Sequence, residues 1–251
     1  MSTRTKKLLF ALGGVVLLLA VLTPFAIKKY REHQRWMWRV QEPTEKLVAK
    51  TPPQVTLVRT KFNSPRWLWT DKGVIGIAQN LKIVVPVAYR SAPTMTLFET
   101  PPPMGRYDFI ANLPQGSMDE LQAEIRRQFG LTAHRDKRLM PTWQLKVKSS
   151  AVAETSLQQS SGPPKNDLKI KDGECTFTGV SMGYLAHILG LYLQMPVLDR
   201  TELRGNYNFQ LKFDWRPEHV ETMKRDLQDR LGLELVRTRE ELDVLVVEKV
   251  K

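Results

Sequence analysis

The sequence is poor in the residues on which most catalytic and metal sites depend. It contains one cysteine, Cys175, so an intramolecular disulfide is excluded. Its four histidines lack the HxxxH and HExxH spacings of zinc sites, and it has neither a glycine-rich phosphate loop nor a GxSxG motif. We therefore predict that the protein is not an enzyme and uses no metal and no cofactor.

Acidic residues are scarce at the amino-terminal end. Residues 1–40 contain eight Lys or Arg and one acid, Glu32, whereas the other 211 residues contain 30 basic and 25 acidic side chains. Most of the net charge of +12 therefore belongs to a short terminal segment, and the body of the chain is nearly neutral. This distribution argues against a nucleic-acid binder, whose basic residues would cluster on the folded domain.

Charged residues are missing altogether from residues 8–27. A helix of twenty residues is about 30 Å long, which matches the hydrocarbon core of a bilayer. We predict a transmembrane signal anchor here, with residues 1–7 in the cytoplasm. A cleaved signal peptide is the alternative, although its apolar core would span only about 7–15 residues.

The residues after this span predict a membrane interface. Lys28, Lys29, Trp36 and Trp38 have the basic and aromatic character of a segment at the lipid headgroups, and a proline-rich tether follows, so that collar and tether cover residues 28–54. Basic residues are more numerous after the span than before it, and by the positive-inside rule alone this would place the domain that follows the span in the cytoplasm. A long domain crosses largely regardless of charge, however. We expect a single-pass protein of the bacterial inner membrane whose carboxyl-terminal domain lies outside the cytoplasm.

Two similar halves follow, over residues 55–148 and 169–251, separated by a Ser-, Gln- and Pro-rich linker at 149–168. Each half contains, in the same order, an apolar helix, a glycine-started strand (GRYDF or GNYNF), an amphipathic helix that ends at a glycine, and an apolar strand. Four matching elements in one order indicate an internal duplication. The predicted fold class is α+β, with an N-terminal transmembrane helix followed by two tandem βαββαββ-like repeats.

The second half resembles an uncharacterised family of soil-associated bacterial proteins, a domain of unknown function. In that family an apolar helix precedes Pro-Val-x-Asp-x-Thr-x-Leu-x-Gly-x-Tyr-x-Phe and a later Leu-Gly-Leu. The matching residues are Pro196, Val197, Asp199, Thr201, Leu203, Gly205, Tyr207, Phe209, Leu231, Gly232 and Leu233. Glu202 stands where the family often has glycine. The resemblance implies an envelope protein exported behind a signal or anchor, and it implies no catalytic residues. The order of elements is also similar to the short signalling domains that precede secretins and TonB-dependent receptors, which bind other proteins.

The candidate structural or binding residues come from this motif: Asp199, Thr201, Gly205, Tyr207, Phe209 and Gly232. Side chains such as Asp199 and Thr201 commonly bond the backbone of a turn, here a turn that enters the GNYNF strand. The alternative is that Asp199 belongs to a small-ligand or enzyme pocket between the two repeats, with His187 and Arg204 nearby.

We therefore predict an uncharacterised membrane-anchored envelope protein whose exported domain is a protein–protein interaction or signalling module. Its expected partner is another envelope protein, and no nucleic acid. Exposed strand edges, such as the terminal TWQLKV or DVLVVEKV strand of a half, are the expected contact. A domain that faces the cytoplasm and binds nucleic acid is the remaining alternative, although aromatics at alternate positions of GRYDF and GNYNF are typical of a strand core.

Overall fold

The computed structural model describes residues 23–212 and 220–250, and the chain forms two compact units. Among the described residues, the first unit takes those up to Tyr89 together with 101–132 and 249–250. The second unit takes 90–100 and those from 133 to 248.

The elements of the first half of the chain are α1 (23–36), a 3-10 turn at Met37–Arg39, α2 (Glu45–Lys50), β1 (Val55–Arg59), β2 (Arg66–Thr70), β3 (Gly73–Gln79), α3 (Leu81–Ala88), a 3-10 turn at Pro93–Met95, β4 (Thr96–Phe98), β5 (Tyr107–Ala111), α4 (Ser117–Phe129) and β6 (Leu131–Val147). The elements of the second half are α5 (Ser150–Ser156), β7 (Gln158–Ser160), β8 (Asp167–Lys171), β9 (Glu174–Val180), α6 (Met182–Leu193), β10 (Val197–Asp199), β11 (Asn206–Lys212), α7 (Val220–Leu231) and β12 (Leu233–Lys249). From α2 and from α5 onward, both halves read helix, three strands, helix, two strands, helix and one long strand.

Two antiparallel four-stranded sheets have the same strand order. The first is β1-β5-β3-β2 and the second is β7-β11-β9-β8. A polar side chain on a central strand stabilises the same irregularity in the strand pairing of both sheets. An oxygen of the buried Asp108 accepts the amide of Ala78 at 3.0 Å, and the amide oxygen of the partly buried Asn208 accepts that of Gly179 at 2.7 Å. Ala78 and Gly179 both have left-handed backbones, with φ of 54° and 61°.

The third sheet combines strands from both halves of the sequence. Its order is β10-β6-β12-β4, and each three-residue edge strand runs parallel to the long strand that comes from the other half. Bonds at the two ends of the long pair, from Val250 to Gly130 and from Lys148 to Gly232, show that β6 and β12 run antiparallel. The predicted terminal strands are therefore flanked on both sides at Trp143–Leu145 and at Leu245–Val247.

In the first unit, the sheet lies between two helical layers. One face packs on Trp38, Leu47 and Val48, which come from the first 3-10 turn and α2. On the other face, α3 and α4 pack on β1, β3 and β5, and Tyr107 meets Phe129 edge-to-face at 5.0 Å. The edge strand β2 lies beyond these two helices.

In the second unit, one core joins sheet, helices and long strands. Phe177 and Phe209 stack at 4.8 Å in its centre, and helices α5, α6 and α7 contribute apolar side chains. Here α5 packs on α7, whereas α2 in the first unit packs on β2 and β3.

The predicted fold class is wrong in two respects. Within residues 23–212 and 220–250 no helix is both long enough and apolar enough to cross a membrane. Most of the predicted span, residues 8–22, lies outside the described residues, and residues 23–27 are part of α1. The repeat is also longer than βαββαββ and not self-contained, because an additional helix and strand precede each hairpin and the long strands pair with each other.

Two segments predicted to be connections are structured. The tether contains α2, and the Ser- and Gln-rich linker contains α5 and β7, the edge strand of the second sheet. Each helix begins at a side-chain cap, since Thr44 and Ser149 accept the amides of Leu47 and Val152.

Candidate functional site

The motif residues at the end of β10 form a closed turn. One carboxylate oxygen of Asp199 accepts both the amide of Thr201, at 3.0 Å, and its hydroxyl, at 2.7 Å. The hydroxyl oxygen of Thr201 in turn accepts the amide of Leu203 at 3.2 Å. Between them Glu202 adopts a left-handed backbone with φ of 61°. The acceptor capacity of Asp199 is thus partly used inside the turn.

The next motif residues lead into β11. Gly205 has φ of 105°, and a Cβ there would lie 3.0 Å from the side-chain amide of Gln159 on β7. The Tyr207 hydroxyl donates to the carbonyl of Arg204 at 2.9 Å, and Phe209 stacks on Phe177. These residues anchor one strand in its sheet.

Gly232 fixes the position of α5. Its φ is 64°, and a Cβ would lie 2.3 Å from the carbonyl oxygen of Ser149 and 2.9 Å from the amide of Ala153. The carbonyl of Gly232 accepts the amides of Lys148 and Ser149 at 2.8 and 3.0 Å. Only a residue without a side chain allows this approach.

A cleft of about 470 Å³ lies beside this motif. Leu203 and Tyr207 line it together with residues of α5 and β7, including Glu154. Within the described part of the chain, the lining of this cleft does not include Asp199, His187 or Arg204. The structure therefore does not gather those three side chains into this cleft.

The basic neighbour of Asp199 is engaged elsewhere. Arg200 donates to Glu240 on β12 at 2.8 Å, and Gln144 on β6 donates to the same carboxylate. The hydrogen bonds from Gln144 and Arg200 lower the pKa of Glu240. Partial burial lowers the pKa of His187 on α6. In the described ranges no group of three or more His, Cys, Asp or Glu is placed to hold a metal ion.

The residues predicted for a membrane interface have two different environments. Lys28 and Lys29 on α1 are exposed, and the guanidinium of Arg39 lies 5.6 Å from the ring centroid of the exposed Trp36. Trp38 instead is fully buried in the core of the first unit, so its predicted interfacial location is wrong. The sequence around a single tryptophan that is flanked by charged residues does not indicate whether its side chain is exposed or buried.

The most distinctive surface is the edge strand β2. Trp67 and Trp69 are 57% and 46% exposed and lie on the same face, since residues two apart on a strand point the same way. Gly76 on β3 is paired with Trp67, and the Phe109 ring occupies the space beside it. A Cβ added at Gly76 would lie only 2.1 Å from an atom of that ring. Two large apolar rings therefore project beyond the area that α3 and α4 cover.

The backbone of these tryptophans faces the free edge. The hairpin turn between β2 and β3 has two residues, so the flanking pair Thr70 and Gly73 is the hydrogen-bonded type. Pairs alternate along an antiparallel ladder, which makes Trp67 and Trp69 non-hydrogen-bonded positions whose N–H and C=O point away from β3. Nothing in the described chain pairs with this edge.

The opposite edge of the same sheet is partly occupied. The carbonyl of Leu57 on β1 accepts the side-chain amide of Gln128 at 2.7 Å, and that of Arg59 accepts Arg39 at 3.2 Å. The exposed lysines Lys61 and Lys72 precede and follow β2. Sequence reasoning did not single out Trp67 and Trp69, although RWLWT between a proline and a turn is typical of a strand with aromatics on one face.

Comparison with known protein families gives a match over most of the chain. The model of a family described as a protein of unknown function, DUF3738, matches residues 84–250, about two thirds of the chain. The matched residues include the Asp199–Phe209 motif and both long strands, β6 and β12. Strand β2 lies before the matched residues. Neither a curated protein nor a solved structure matches the chain.

Proposed function

We propose that this chain, which belongs to the DUF3738 family of proteins of unknown function, binds another protein by adding an extended segment of it to β2. The observation that carries the proposal is the pair Trp67 and Trp69, exposed on a strand whose outer edge is unpaired in the described residues. In such binding, main-chain hydrogen bonds supply affinity and the alternating side chains supply specificity. Because β2 lies outside the matched residues, the proposal concerns this chain and not the whole family.

The charges around β2 favour an acidic segment. Lys61 and Lys72 stand near its two ends, whereas Asp71 is the one acid between residues 60 and 72. Arg66, within the strand, is paired with Glu42 at 2.9 Å. A partner segment with β-branched residues in its centre and acids at its ends would match both the strand and the two lysines.

The experiment is a selection from displayed random linear nonapeptides with the full chain as the target. We expect acidic sequences with alternating β-branched residues, whose Kd rises about 30-fold in Trp67→Ala or Trp69→Ala, since a buried tryptophan anchor is worth about 2 kcal/mol. Ile170→Ala is the matched control, because Ile170 has the position of Trp69 on the equivalent edge strand β8 and is 52% exposed.

Trp69→Pro separates main-chain pairing from side-chain contact. Proline is tolerated at an edge position whose N–H points to solvent, so the hairpin should persist while the added strand loses a donor. Peptide binding should fall at least as much as in Trp69→Ala. The proposal fails if no acidic extended sequence is enriched, or if the selected peptides bind all these variants equally.

A further inference from the structure

A second cleft, independent of β2, lies in the second unit beside the long strands. It has a volume of about 360 Å³, and its lining includes Trp143 on β6, Arg237 on β12, Leu193, Met195 and Val220. This volume is near the lower end of the range of about 300–1,000 Å³ in which small-molecule sites occur. The cleft is thus large enough for a small ligand.

Two cations lie against the ring of Trp143, and one of them, Arg237, lines the cleft. The Arg237 Cζ is 6.0 Å and the Lys224 Nζ 5.6 Å from the Trp143 ring centroid. At these distances the ring attracts a cation and helps to hold it in place. The Arg237 guanidinium therefore has a preferred position in the cleft before any ligand is bound.

The two cations differ in what neutralises them. Lys224 bonds both carboxylate oxygens of Glu221, at 3.0 and 3.2 Å. Arg237 is exposed, lies against the indole ring, and forms no ion pair with a carboxylate in residues 23–212 or 220–250. A guanidinium that has no carboxylate partner among the described residues and lies beside apolar side chains is a group that an anion would complete.

We propose that this cleft binds a small carboxylic acid with a flat apolar body. The parallel N–H groups of Arg237 match the two oxygens of a carboxylate, and the body would lie against Trp143, Leu193 and Met195. A dianion such as phosphate fits less well, because the lining is largely apolar and contains one cation, Arg237.

The test compares phenylacetate with its neutral analogue phenylacetamide on the full-length protein. The indole N–H resonance of Trp143, assigned by its loss in Trp143→Phe, reports occupancy of the cleft. Phenylacetate should shift this resonance saturably, with a Kd at least tenfold lower than that of phenylacetamide.

Arg237→Gln supplies the decisive variant. It should raise the Kd of phenylacetate about tenfold and leave that of phenylacetamide unchanged, while Arg239→Gln, an exposed neighbour on the same strand outside the lining, changes neither. Absence of a saturable shift, equal affinity for the acid and the amide, or an acid affinity unaffected by Arg237→Gln would overturn the proposal.

Discussion

The glycine that follows α7 should be far less replaceable than the glycine that follows α4. Gly130 and Gly232 end equivalent helices with nearly the same backbone, φ of 62° and 64°. A Cβ at Gly130 meets nothing within 4 Å, whereas one at Gly232 lies 2.3 Å from the Ser149 carbonyl oxygen. The pair therefore separates the cost of a left-handed backbone from the cost of a collision.

The expected magnitudes follow from these two terms. A non-glycine residue in the left-handed region costs about 1–2 kcal/mol, and that cost applies to both Gly130→Ala and Gly232→Ala. Gly232→Ala adds an overpacking cost of about 1–3 kcal/mol, because backbone of α5 must move. The same movement weakens the bonds from Lys148 and Ser149 to the Gly232 carbonyl. We expect Gly232→Ala to lose about 2 kcal/mol more than Gly130→Ala.

Urea unfolding measures the two losses, and amide hydrogen exchange locates them. Exchange in α5 should become faster in Gly232→Ala and stay unchanged in Gly130→Ala. Equal losses of free energy in the two variants, or α5 amides that exchange as in the parent protein, would refute the argument that Gly232 exists to admit α5.

Four further outcomes are expected. Thr201→Val removes a buried hydroxyl that both donates and accepts, so the free energy of unfolding, measured in urea, should fall by about 1–2 kcal/mol, and Thr201→Ser should retain most of the parent stability. Glu202→Gly should raise the free energy of unfolding by about 1 kcal/mol in the same assay, because glycine adopts the left-handed backbone without strain. Asp108→Ala should cost about 3 kcal/mol because it leaves Arg39 and a buried amide unpaired, while Asp108→Asn, which keeps the amide's acceptor, should cost less in the same assay. NMR should show that the pKa of His187 in the folded protein lies below its ordinary value of 6.5. Because the unfolded chain then takes up the proton at a higher pH than the folded protein does, the free energy of unfolding should fall as the pH decreases through 6.5. His187→Gln should remove that part of the pH dependence.

Local signals in the sequence predicted several elements correctly. The helices that became α4 and α7 were expected from apolar periodicity and from their terminal glycines, and both glycines have the left-handed backbone that such an end requires. Pro86 lies inside α3, where a proline disfavours continuation of the helix, and α3 has 8 residues where α6 has 12.

Features that depend on distant contacts were missed. Helix α5 and strand β7 contain few bulky apolar residues, so composition indicated a linker; their order depends on Gly232, about 80 residues away, and on pairing with β11. The terminal strands were expected to offer exposed edges, but each is flanked over three residues by a short strand that comes from the other half of the sequence. Strand exchange of this kind leaves no periodic signal.

The surface residues were missed for a different reason. Trp36, Trp38, Trp67 and Trp69 have similar local sequences of aromatic and basic residues, yet one is fully buried and two project from an edge strand. Burial is decided by whether a helix covers that part of the sheet. The predicted inner-membrane localisation and envelope partner stay predictions.

Amide hydrogen exchange at β2 tests the central claim most directly. The N–H groups of Trp67 and Trp69 point away from β3, so in the unbound protein they should exchange quickly while that of Leu68 is protected. With a selected acidic peptide in excess, both tryptophan amides should become protected and Leu68 should change little. If the peptide binds but these two amides remain as fast as before, β2 is not the strand to which the partner is added.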